Sequence, residues 1–210
     1  MGIDQLNKYI TECDIIATQH GWYEKDLSDN HYLMMIITEI SEAIQADRSN
    51  KHAVMTSFDA YYKSKTDEEF IFPDDCSNDN DRFIEAYKLY VEGTVDSEIA
   101  DIVIRILSFL GLKGMKLKML PELDLTSNWV GSDGCFKTSS FTEISLILTS
   151  YIVSFVLGDI NARCYVEKMS FIIAFVFKWC KFLGVDIDKQ IKLKIRYNSL
   201  REYKHGGKKY

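Results

Sequence analysis

The chain has only two prolines in 210 residues, Pro73 and Pro121, and both fall between periodic segments. Proline removes a backbone donor and breaks helix interiors, so its scarcity leaves room for long uninterrupted helices. The five cysteines are odd in number and form no C-x-x-C pair, which excludes a disulfide framework and a zinc site of the usual spacing. The longest apolar stretch, Ile144 to Leu157, is about 14 residues and is interrupted by Ser and Thr. A bilayer span needs about 20, so no membrane segment is expected. The first residues, MGIDQLNKYITECD, are polar and acidic, unlike a secretory signal, and a cytoplasmic protein with reduced thiols is expected. A basic character suited to nucleic acid is lacking too, since the formal net charge is -6.

What is present is helical periodicity. The spacing of apolar residues predicts helices over 2–19, 29–48, 81–90, 94–111, 140–157, 162–183 and 186–201. Thr94 is placed to cap the fourth of these, and Ser140 with Glu143 forms a capping-box pattern for the fifth. Residues 49–80 are polar and read as irregular, and 113–138 as a connection. No alternation convincing for a strand appears. The expected fold is therefore an all-α helical bundle in a single domain covering 1–210. Segments 49–93 and 113–140 are insertions in it, and 202–210 is a basic tail.

Two segments carry the chemistry, TEISEAIQADR from Thr38 and SEIADIVIRI from Ser97. Glu39 and Glu42 stand three apart, as do Glu98 and Asp101, so each pair shares a helix face. A single E-x-x-E is common on a solvated helix edge. Here both pairs lie among apolar positions, Ile36, Ile40 and Ala43 around the first and Ile99, Ile102 and Ile106 around the second. If the two helices pack together, four carboxylates meet in a partly dry groove, where unpaired charge costs several kcal/mol per ion. Hard cations with oxygen ligands answer that cost, Mg²⁺ first and Mn²⁺ as a substitute. A di-iron bundle would want E-x-x-H on two helices, whereas the one such pair is Glu202 to His205 near the end. The last 22 residues, from Lys189, hold eight Lys/Arg and one acid, a cationic stretch suited to a compact anion.

The order E-x-x-E, then E-x-x-D, then Lys194, Asn198 and Arg201 at K-x3-N-x2-R spacing resembles the all-α nucleoside triphosphate pyrophosphatase superfamily, the MazG-like proteins among them. The resemblance is strongest over 20–48, 94–110 and 184–210. It implies a metal-dependent hydrolysis of a nucleoside triphosphate to monophosphate and pyrophosphate, by a homodimer or higher homo-oligomer. Glu39, Glu42, Glu98 and Asp101 would be metal ligands and catalytic residues, with Glu39 or Glu42 also orienting the attacking water. Lys194, Asn198, Arg201 and Lys204 would hold the phosphates, and Trp22 would stack on the base. Arg105, seven residues beyond Glu98, is a candidate ion-pair partner for one of the carboxylates. The alternative is a helical module that binds or senses a nucleotide without turning it over.

Overall fold

The computed structural model of the chain describes residues 1–67, 79–118, 133–155 and 162–204, with side chains at 64–67, 133 and 162–164 excepted. Among these residues there are nine helices and no strand: α1 (Ile3–Gln19), α2 (Asp29–Arg48), α3 (Met55–Asp67), α4 (Asp79–Tyr90), α5 (Val95–Leu112), α6 (Asp133–Thr138), α7 (Phe141–Val153), α8 (Ala162–Leu183) and α9 (Ile187–Ser199). The all-α bundle expected from the sequence is the fold. No helix among the described residues is long and apolar enough to cross a membrane.

Helix α5 is the axis. Its residues Ile99, Ala100, Ile102, Val103, Ile106, Leu107 and Leu110 are completely enclosed, because α1, α2, α8 and α9 all pack against it. A helix apolar around most of its circumference is stable only in such a position. Thr94 caps it as expected: the hydroxyl accepts from the Ser97 amide, and the Ser97 hydroxyl accepts in return from the Thr94 amide. Helix α2 makes the most extensive contact with α5, through Leu33, Ile36, Ile40 and Ala43. The Ser140–Glu143 capping box also forms, with the Ser140 amide donating to Glu143 at 2.6 Å.

The close approach of α1 to α5 depends on Gly111. A Cβ there would lie 2.7 Å from Asp14 Cβ and 3.1 Å from the Ile10 carbonyl oxygen. Alanine would add up to about 1 kcal/mol of helix propensity, but forcing the helices apart costs about 1–3 kcal/mol. Gly111→Ala is therefore expected to lower stability in urea unfolding; a stabilised variant would show that α1 yields without resistance.

The reading of 49–80 as irregular is corrected. Residues 55–67 form α3, and α4 starts at Asp79. Met55, Phe58, Tyr61 and Tyr62 lie at helical spacing and pack with Phe83, Ala86, Tyr87 and the α9 residue Tyr197 in a second hydrophobic cluster. The stripe is short and aromatic in a polar segment, and its partners lie on α4 and α9 instead of the main core. Within the predicted connection 113–138, residues 133–138 form the short α6. Helix α7 ends at Val153, and residues 156–157 of its predicted span lie outside the described residues.

Candidate functional site

Because α2 and α5 pack face to face, Glu39 comes to the second pair of acids. Glu39, Glu98 and Asp101 each present a carboxylate oxygen, and these atoms lie within 4.8 Å of one another. Glu39 is 4% and Glu98 7% exposed. Burial, then the neighbouring charge of Asp101, pushes the Glu98 carboxyl up to about 7. The same two causes raise Glu39, partly opposed by Arg105. Glu42, on the following turn of α2, is exposed and stands on the rim, outside this three-carboxylate group.

Each of the three buried acids has one oxygen engaged by the chain. Arg105 Nε donates to Glu39 Oε1 at 2.8 Å, the pairing foreseen for it in general form. The Ser97 hydroxyl donates to Glu98 Oε1 at 3.2 Å. Lys194 Nζ lies 2.5 Å from Asp101 Oδ2, with side chains 8% and 13% exposed. Burial by itself would lower the Lys194 pKa, but Asp101, the Tyr87 hydroxyl and Glu98 outweigh it and hold the ammonium charged. Ser97 does not stand out in the sequence, where only its position next to Glu98 hints at a role.

Glu39, Glu98, Asp101, Arg105 and Lys194 line a cavity of about 420 Å³, within the range of small-molecule sites. Five carboxylates border it (Glu39, Glu42, Glu92, Glu98 and Asp101) against three basic groups, Arg105, Lys194 and Arg201. With all five carboxylates ionised the formal excess of two negative charges suits one divalent cation, and an all-oxygen donor set suits Mg²⁺ or Mn²⁺. The residues present thus fit the ion that the paired acids predicted.

Asn198 and Arg201 border the same cavity, one and two turns beyond Lys194 along α9 and its C-terminal turn. Asn198 Oδ1 is buried with no hydrogen-bond partner. The Arg201 guanidinium lies 5.6 Å from the Tyr197 ring centroid. Trp22 and Tyr23 also line the cavity, with Tyr32 and Phe109, whose ring centroids are 6.0 Å apart. Tyr32 precedes Glu39 by seven residues on α2 and Phe109 follows Asp101 by eight on α5. At 1.5 Å per residue the aromatic end therefore stands about 10 Å or more from the carboxylates.

Lys204 is placed elsewhere. It does not line the cavity; its ammonium is 2.5 Å from Glu24 Oε2, and its amide donates to the His20 carbonyl. The expected grouping of Lys204 with the phosphate-holding residues is thus not formed in this structure. Residues 205–210, with Lys208 and Lys209, lie outside the described residues.

No protein-family model, no curated protein and no solved structure matches the chain.

Proposed function

We propose that the chain is a metal-dependent nucleoside triphosphate pyrophosphohydrolase, releasing a nucleoside monophosphate and pyrophosphate with consumption of one water. The observation that carries this reading is the juxtaposition in one cavity of three buried carboxylates, a basic and amide-bearing edge from α9, and an aromatic end. The motif resemblance to the all-α nucleoside triphosphate pyrophosphatases supports the same reaction class.

Glu39, Glu98 and Asp101 would hold the Mg²⁺ or Mn²⁺, with Glu42 joining from the rim. When bound, the ion would neutralise the crowded acids, attract the triphosphate and make a bound water more acidic. Arg105 and Ser97 fix the Glu39 and Glu98 carboxylates in place, a role whose loss weakens such sites by about 10–100-fold. Glu42 is exposed, while Glu39 is held by Arg105, so Glu42 is the better placed to orient the attacking water and accept its proton. Arg201, with its planar fork, and Asn198 hold phosphate oxygens, and Trp22 and Tyr32 stand beside the base, with the buried Phe109 backing Tyr32. Assembly as a homo-oligomer in the cytoplasm belongs to the same proposal.

The test is a screen for pyrophosphate release across the common ribo- and deoxyribonucleoside triphosphates, with Mg²⁺ and with EDTA. At least one substrate is expected to turn over with Mg²⁺ and none with EDTA; turnover undiminished by EDTA would sink the metal requirement. A nucleotide-sensing module without turnover is the second reading. The Lys194–Asp101 ion pair favours it, since it meets part of the cluster's charge from within the chain. Tight Mg²⁺-dependent nucleotide binding with no product would select it.

A further inference from the structure

The Lys194 ammonium occupies one of the two carboxylate oxygens that Asp101 offers to the cluster. It lies 2.5 Å from Asp101 Oδ2 in surroundings where neither partner is more than 13% exposed. An ammonium and a divalent ion cannot both take that oxygen at close range in a nearly dry site, since their repulsion is poorly screened there. An ion bound at Asp101 therefore repels Lys194 and favours its departure.

A second place for it is already built. Asn198 follows Lys194 by four residues on α9, one turn along the same face. Its Oδ1 is a buried acceptor with no partner, and both residues line the cavity. A buried acceptor left unpaired is costly and is rarely retained without use. In its present position Nζ is 5.9 Å from the centroids of both Tyr87 and Tyr197, faces that favour a cation, and Tyr197 adjoins Asn198 in the chain. The unbranched lysine stem allows such a swing, which a rigid guanidinium fork anchored by several bonds would resist.

From this geometry we propose that Lys194 is the resident counter-ion of the carboxylate cluster, and that a divalent cation transfers it from Asp101 to Asn198. The inference rests on the reading of the cluster as a cation site and adds a regulation to it. Once released, the ammonium faces the cavity where phosphates would lie, so cation loading prepares the anion-holding edge. The order of binding is cation first, phosphate second.

The experiment measures Mn²⁺ binding to the full chain at fixed pH and salt, by the paramagnetic resonance signal of the free ion. It compares the native protein with Lys194→Gln and Asn198→Leu. Loss of the competing ammonium is expected to tighten Mn²⁺ binding about tenfold in Lys194→Gln, the size of a direct pair coupling. Loss of the second seat is expected to weaken it several-fold in Asn198→Leu. With inorganic pyrophosphate as the probe, binding to the native protein should require Mn²⁺ and should be weakened in Lys194→Gln even with Mn²⁺ present. If the native chain binds no Mn²⁺, the cation site itself fails and the exchange falls with it. If the native chain binds Mn²⁺ and Lys194→Gln binds it equally or more weakly, the exchange is overturned while the cation site stands. Should Lys194→Gln not fold, Asn198→Leu decides, an unchanged Mn²⁺ affinity overturning the proposal.

Discussion

Glu98→Gln is expected to lower pyrophosphate release by at least about a hundredfold and, in EDTA at pH 8, to raise the melting temperature. Both effects have one cause. Arg105 pairs with Glu39 and Lys194 with Asp101, which leaves Glu98 with a serine hydroxyl and no direct basic partner among the described residues. It is the surplus charge of the cluster. Losing it removes one ligand of the proposed cation, and several kcal/mol of charge stabilisation correspond to more than two decades in rate. The same loss relieves the folded chain of a buried carboxylate, and glutamine can still accept from Ser97. The pH dependence follows in sign. Glu98 in the folded chain titrates at about 7, above its ordinary 4.5, so between those values the folded state keeps a proton that the unfolded state has lost. Stability without cations therefore falls as pH rises through that window and levels off above it. Glu98→Gln should flatten this slope, with a residual part from Glu39, whose pKa is raised in the same direction. Thermal melts in EDTA from pH 5 to 8 measure both effects. A variant that melts below the native protein at pH 8 would contradict the account.

Phe83→Ala carries the largest expected loss of stability, about 3–5 kcal/mol. Phe83 is 1% exposed, with Phe58, Tyr62 and Tyr87 rings at centroid distances of 6.0, 6.1 and 6.0 Å and the Arg196 guanidinium 4.1 Å over its face. The cluster reaches the site, because Tyr87 stacks on Tyr197 of α9 at 4.2 Å and its ring stands beside Lys194. A cavity at Phe83 should thus weaken substrate binding as well, read as a raised KM with kcat less affected. Urea unfolding measures the main effect; a loss below about 1 kcal/mol would mean that α3 and α4 are an appendage to the bundle.

Much of the architecture could be read from local chemistry. Thr94 and Ser140 mark helix starts because a hydroxyl at that position satisfies an amide the helix leaves open, whatever the surroundings. The apolar run through α5 implied a central helix, and the i, i+3 acids within it implied a face of paired carboxylates. Helix α3 was missed because its Phe58 and Tyr62 bury against residues about 20 and 135 positions away, on α4 and α9, a distance over which periodicity is silent.

For the site, the sequence alone determined which carboxylates share a helix face and stand among apolar neighbours, since both are properties of each helix. It also placed Glu42 in the dry groove, whereas the structure leaves it exposed. Only the packing of α2 on α5 decided that Glu39, and not the exposed Glu42, joins Glu98 and Asp101. Only the docking of α9 decided that Lys194 pairs with Asp101 while Asn198 keeps a buried oxygen unpaired. A helix specifies the face on which its charges stand. Which opposite charge each one meets depends on the rotation and register of its neighbour, and these are set by the fit of side chains from distant parts of the chain.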